Sequence, residues 1–255
     1  MAACCGPLPP ERGQDGGDPE RYRSVFNAQF SRSIARRYER KGLRSAEQRI
    51  VDFLAARGLE GATVLEVGGG AGEIQLELLA RGAARSTNLE LSDAYEADSA
   101  RLIARAGMAG RVERRLGVDL AVTPDAVEPA DVVVLHRVVC CYPDYEKLLG
   151  AAADHARKAI AFSYPPAGPL ARLGLRFGNA MLRLTGRSFR GFAHDPAAMV
   201  EVVRRHGLEP VYRKRSGVWT VTGAVRAVSP DLAGGSATRV EICRTPHLPE
   251  CAPRG

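Results

Sequence analysis

Residues 64–79 read Val64-Leu65-Glu66-Val67-Gly68-Gly69-Gly70-Ala71-Gly72-Glu73-Ile74-Gln75-Leu76-Glu77-Leu78-Leu79. A short buried strand ends at Val67, glycines fill positions 68, 69, 70 and 72, and a helical pattern starts at Glu73. Strand, glycine turn and helix in that order put a tight loop at the carboxyl end of a strand, where open α/β sheets bind ligands. Four glycines in five positions exceed what a turn needs, and they let a backbone approach a ligand without Cβ clashes. A P-loop is excluded, because Gly-Lys-Ser/Thr is missing. In a dinucleotide fingerprint Glu73 would stand where the third small residue belongs, and a carboxylate at a helix N-terminus repels a pyrophosphate. A ligand without phosphate and with positive groups suits the loop better.

The pattern outward from this loop alternates. Strands are expected at 63–67, 86–91, 112–118, 131–135 and 159–163, with helices at 73–81, 95–106, 145–156 and 196–206. Two further strands, around 211–215 and 218–227, are joined by Ser216-Gly217 and read as an antiparallel hairpin at the sheet edge. Strand–helix alternation implies a mostly parallel sheet with helices on both faces. Residues 21–58 read as helices: Ile34 and Tyr38 are an i, i+4 pair, and Ile50, Phe53 and Leu54 share one face. Gly42 separates two of these helices, and Ser45 with Glu47 and Gln48 resembles a helix start. The folded domain is expected over 21–228, between Gly- and Pro-rich tails at 1–20 and 229–255 that are expected to be disordered.

Composition narrows the class. In 255 residues there is no apolar run near the roughly 18 that a membrane span needs. The first residues lack a basic segment followed by an apolar block, so a cytoplasmic protein is expected. The six cysteines, Cys4-Cys5, Cys140-Cys141, Cys243 and Cys251, form no C-x-x-C pair, and no metal site is expected. The net charge of +7 is concentrated in two places. Between Arg21 and Arg44 stand eight basic residues and one acid, Glu39. Between Ala167 and Phe192 stand five arginines and no acid. In this second segment Leu170, Leu173, Phe177, Met181 and Leu184 recur at helical spacing beside a stripe of Arg172, Arg176, Arg183 and Arg187, an amphipathic basic helix.

S-adenosylmethionine meets the requirement of the glycine loop, since its sulfonium and α-ammonium are cationic and its ribose offers two hydroxyl donors. The sequence resembles the class I S-adenosylmethionine-dependent methyltransferases. The family's first motif matches Glu66-Val67-Gly68-Gly69-Gly70-Ala71-Gly72. The resemblance implies a Rossmann-like seven-stranded sheet with N-terminal helices and a helical lid insert at 167–192. It places Glu66 near the methionine end of the cofactor, with Gly68, Gly69, Gly70 and Gly72 along its path. Glu90 in NLELS, next to Leu91, would hold the ribose hydroxyls through charge-assisted bonds. Asp119 in LGVDL, next to Leu120, would lie beside the adenine amino group. His136 would end the fourth strand, ADVVVLHRVV, at the carboxyl edge of the sheet.

The chemistry beyond the cofactor is less legible. Methyl transfer is an in-line displacement that needs alignment, plus a base when the acceptor carries a proton. His136 and Tyr142 are the candidate catalytic residues; the alternatives are a cofactor contact or strand cap for His136 and a loop entry for Tyr142. Cys140 and Cys141 read as small buried residues, because the Pro-Cys of cytosine-methylating enzymes is missing. Tyr38, Phe177, Arg190 and His194 are the candidate substrate and lid residues. Tyr142-Pro143, the basic insert and Phe192-Ala193-His194 also resemble magnesium-protoporphyrin O-methyltransferases, although Cys141 stands where that subfamily carries histidine. A small-molecule acceptor is expected. The basic insert would attract an anionic or carboxylate-bearing acceptor, or rest on an anionic membrane surface. Methyl transfer to RNA or protein is the alternative, but no Asn/Asp-Pro-Pro-aromatic signature follows strand four and no RNA-binding module is visible. A nicotinamide oxidoreductase would want a Tyr-x-x-x-Lys pair, which is missing. The oligomeric state stays open.

Overall fold

Three helices, α1 (Pro19–Arg23), α2 (Ala28–Lys41) and α3 (Ser45–Ala55), precede the sheet. They are followed by β1 (Thr63–Val67), α4 (Glu73–Ala80), β2 (Arg85–Glu90), α5 (Glu96–Arg105), β3 (Val112–Leu116) and β4 (Ala130–Leu135). The chain continues through α6 (Tyr145–Asp154), β5 (Ala156–Tyr164), α7 (Pro169–Leu184), α8 (Pro196–Arg205), β6 (Leu208–Ser216) and β7 (Trp219–Arg226). This computed structural model describes residues 19–227. The tails expected at 1–20 and 229–255 lie outside the described residues, except that Pro19 and Glu20 already belong to α1.

The sheet has seven strands in the order β3-β2-β1-β4-β5-β7-β6. The first five are parallel, and β7 runs antiparallel to both neighbours. The terminal hairpin lies at the sheet edge as expected, with β7 between β5 and β6 and β6 outermost. Its turn is Gly217-Val218, because Ser216 pairs with Trp219. Gly217 takes φ +61°, the left-handed conformation that a two-residue hairpin turn demands. β5 also starts at Ala156 rather than 159, with a register jump where Ala130 pairs with Ala156 and Val132 with Ala159.

The central strands are buried on both faces, as Val132, Val133, Val134 and Leu135 of β4 show. One face packs on α6 and α8 through Leu149, Phe162 and Val203. The other packs on α3 and α4 through Ile50, Phe53, Leu54 and Leu78. Gly223 of β7 leaves the space that the Phe53 ring occupies. Side chains start several helices cleanly: Asn27 accepts from the N–H groups of Gln29 and Phe30, and Asp144 and Asp195 cap α6 and α8. α2 forms a third layer on α5, where Ser31 donates to the buried Asp98 carboxylate at 2.7 Å. Strand order reverses between β1 and β4, which opens a crevice at their carboxyl ends.

Candidate active site

The crevice is floored by the glycine loop. Gly68 has φ +62°, and a Cβ there would stand 2.7 Å from Val138. At Gly69 a Cβ would fall 2.8 Å from the Glu66 carboxyl carbon and on the Asn88 amide. These two positions are glycine because the turn and the side chains beneath it leave no room. Gly70 donates its N–H to Glu90 Oε2 at 2.9 Å, while Glu90 Oε1 accepts from Ser92 N–H at 2.9 Å. The carboxylate ending β2 therefore faces the loop. Gly72 caps α4 and does not line the crevice.

The other cofactor candidates converge on the same space. Glu66 is buried, with Oε2 accepting from Gln75 N–H at 3.2 Å. Leu91, Asp119, Leu120 and His136 all line the crevice. Asp119 is braced by Ala121 N–H at 3.0 Å and by the Tyr142 hydroxyl, which donates to Oδ2 at 3.0 Å. The Tyr142 hydroxyl is thus committed to Asp119, and burial pushes its pKa up.

His136 is hydrogen-bonded on one side and faces a carboxylate on the other. Its Nδ1 lies 2.9 Å from Ser163 Oγ and its Nε2 3.6 Å from Glu47 Oε1. Burial holds the His136 pKa below its ordinary value against the opposing pull of Glu47. Burial also pushes the Glu47 carboxyl up, but the contact with His136 and the N–H of Arg44 outweigh it and leave the pKa lowered.

The substrate and lid candidates do not gather in the crevice. Tyr38 points its hydroxyl to Glu77 at 2.9 Å. Phe177 is 69% exposed on the outside of α7. Arg190 folds back on the carbonyls of Arg187 and Phe189. His194 Nε2 contacts the Tyr142 carbonyl at 2.9 Å and so steadies the loop behind the crevice. No residue of α7 is among those lining the crevice.

Several lining residues were not singled out from sequence. Tyr22 of α1, Phe26 between the helices, and Phe30 and Ile34 of α2 line the crevice, and the aromatic three recur every fourth residue in the chain. Phe26 packs edge-on to Phe189 at 5.4 Å, which joins this lining to the segment after α7. Arg137 lines the crevice with φ +62° and a buried Nε that has no hydrogen-bond partner among the described residues. Glu73 lines it too, with a buried Oε2 that likewise has none. Burial, aided by repulsion from Glu47, pushes the Glu73 carboxyl up to about 7. The sequence marks Glu47 only as part of the start of α3; its contact with His136 depends on α3 meeting the end of β4.

Residues 35–212 match a family described as a methyltransferase domain. The chain belongs to this methyltransferase family. No curated protein matches this methyltransferase in sequence. Solved structures of the same fold include magnesium protoporphyrin IX methyltransferase from Synechocystis PCC 6803 with bound SAH, at 17% identity and TM-score 0.59, covering 81% of this chain and 93% of that one. An O-methyltransferase family 2 protein from Planctomyces limnophilus DSM 3776, in complex with apigenin, is 19% identical with TM-score 0.59, covering 80% and 62%. Human N-acetylserotonin methyltransferase in complex with SAM is 14% identical with TM-score 0.57, covering 81% and 58%. The protein is an enzyme with a Rossmann-like methyltransferase fold.

The family implies S-adenosylmethionine, and the residues of this methyltransferase fit it. Glu66, Glu73, Glu90 and Asp119 put four carboxyl groups around one crevice. An orphaned, buried Glu73 oxygen calls for a cationic partner. A pyrophosphate would find carboxyl groups there and no cationic cradle among Glu66, Glu73, Glu90 and Asp119. Among the described residues no group of three or more His, Cys, Asp or Glu side chains is placed to hold a metal ion. No helix among them is long and apolar enough to cross a membrane.

Proposed function

We propose that the protein transfers a methyl group from S-adenosylmethionine to a small acceptor bearing an anionic group. The observation that carries this reading is the shape of the crevice. It is a concave site in which the glycine loop, Glu66, Glu90 and Asp119 meet the apolar side chains of Tyr22, Phe26 and Phe30. Such a lining suits a cofactor and one small organic molecule.

When bound, the cofactor supplies a carbon already activated for displacement by its sulfonium. The chain supplies placement. Glu90, with each oxygen anchored by one backbone N–H, keeps lone pairs for two ribose hydroxyls. Asp119, held by Tyr142, faces the adenine end. Glu73 neutralises positive charge at the methionine end, while Glu66, whose carboxyl burial pushes well up, braces the start of α4 through Gln75. Arg137, with an unpartnered N–H, is the group that draws an acceptor anion. His136 is kept neutral by burial and takes a proton at Nδ1 from an acceptor that carries one, in exchange for its contact with Ser163 Oγ, with Glu47 3.6 Å from Nε2 to stabilise the imidazolium. A carboxylate acceptor needs no such step.

The test is purified protein with methyl-tritiated S-adenosylmethionine, offered small carboxylic acids, phenols and transfer RNA in parallel. Label in the solvent-extractable fraction, lost in Glu90→Ala, supports the reading. Label in the macromolecular fraction alone would move the assignment to RNA or protein, the alternative that the basic α7 favours.

A further inference from the structure

The apolar stripe of α7 faces away from the protein. Leu170 is 83% exposed, Leu173 64%, Phe177 69%, Met181 46% and Leu184 80%. At 100° per residue these five fall within one narrow sector of the helix. The opposite face does the packing: Ala171, Leu175, Asn179 and Leu182 are half-buried. Asn179 clamps Gly191 through two hydrogen bonds of 2.9 Å, which fixes the orientation of the helix. The outward stripe is therefore set by contacts on the inner face. Arg172, Arg176 and Arg183 are exposed along one flank, and none has an ion-pair partner among the described residues.

We propose that α7 is a docking helix for an anionic lipid bilayer, lying in the headgroup plane with the Leu170–Leu184 stripe inserted and its arginines on lipid phosphates. An exposed apolar face flanked by arginine and free of acid is the pattern of an interfacial helix. Charge selects the occupant. A second copy would present the same arginine-flanked stripe, and residues 167–192 hold no acid to offset that repulsion. A zwitterionic surface would leave the arginines unmatched. The stems of Arg172, Arg176 and Arg183 are long enough to lie along apolar surface while their guanidinium groups reach phosphate. Exposed arginines at 32, 36 and 40, four apart on α2, add a second positive stripe near the aromatic lining of the crevice. This inference stands on the surface of α7 and is independent of the proposed acceptor.

The experiment is co-sedimentation of the full chain with vesicles of phosphatidylcholine alone and with about 30% phosphatidylglycerol. The anionic vesicles are expected to bind at least about tenfold more protein than the neutral ones, and added salt to weaken the binding. Leu173→Glu with Leu184→Glu is expected to reduce binding about tenfold, with S-adenosylhomocysteine affinity unchanged as the control for folding. As a second readout, Phe177→Trp is expected to shift its emission to the blue on anionic vesicles, over the background of Trp219. The proposal fails if the wild type ignores anionic vesicles, if the double variant binds as well as the wild type, or if the emission of the Phe177→Trp variant does not move. It also fails if sedimentation velocity shows a dimer that the double variant dissolves.

Discussion

Gly70 N–H donates to Glu90 Oε2 across 2.9 Å, a bond that ties the glycine loop to the end of β2. One carboxylate therefore shapes the loop and presents its remaining lone pairs to the crevice. Glu90→Ala is expected to weaken S-adenosylhomocysteine binding by about a hundredfold or more, since charge-assisted bonds are worth about 1.5–3 kcal/mol each. Glu90→Gln keeps one acceptor and is expected to fall between. Isothermal calorimetry reads both, and wild-type affinity in Glu90→Ala would refute the assignment of the ribose site.

Gly69→Ala tests the floor of the crevice. The new methyl would overlap Asn88 and approach the Glu66 carboxyl carbon to 2.8 Å. Asn88 and Glu66 are both buried, so neither swings away freely. A loss of about 1–3 kcal/mol in urea unfolding is expected, together with lost cofactor binding. A stable variant that still binds would mean the loop is softer than this packing implies.

Glu73 makes ligand-free stability depend on pH. Its pKa rises from 4.5 unfolded to about 7 folded, so the folded state holds the extra proton between those values. Stability is then highest below about 4.5 and is lost as pH climbs towards 7. The contribution is of the order of 3 kcal/mol at most. His136 acts in the opposite sense, because its lowered pKa favours folding as pH rises. The difference between wild type and Glu73→Gln isolates the carboxyl: the variant should be the more stable of the two at pH 8, with the gap closing below pH 5. A cationic cofactor should also expel this proton. Calorimetry near pH 6 in buffers of different ionisation heat should report proton release on binding that is smaller in Glu73→Gln, the remainder coming from Glu66, whose carboxyl burial also pushes well up.

Tyr142 and His136 are separable by kinetics. Because the Tyr142 hydroxyl is bonded to Asp119, Tyr142→Phe should raise KM for the cofactor about five- to tenfold and leave kcat nearly intact. His136→Gln should instead depress kcat about a hundredfold or more for an acceptor that must lose a proton, with little change for a carboxylate acceptor. A kcat collapse in Tyr142→Phe would exchange the two roles.

Much of this site can be read from the chain because its residues sit at the ends of strands. Glu66, Glu90 and Asp119 are marked by their resemblance to the methyltransferase motifs, and they stand at or just past the ends of β1, β2 and β3, which are local events set by glycine, charge and apolar runs. The contact of Glu47 with His136 links α3 to the end of β4, and no local pattern encodes it. Tyr142 is locally a loop residue, and only the approach of the β3 loop turns its hydroxyl into a brace for Asp119.

The sequence alone determined an alternating α/β chain, a glycine loop with acids at neighbouring strand ends, and an amphipathic, basic seventh helix, since each is a matter of short-range spacing and side-chain type. Tertiary structure decided the rest: β7 slots between β5 and β6, the aromatic residues Tyr22, Phe26 and Phe30 turn into the crevice, and the apolar stripe of α7 turns out of it. Periodicity places residues on a common face but cannot say what that face meets. The clamp of Asn179 on Gly191 and the packing of Leu175 and Leu182 choose the inner face of α7, and such contacts between distant segments exist only once the chain has folded.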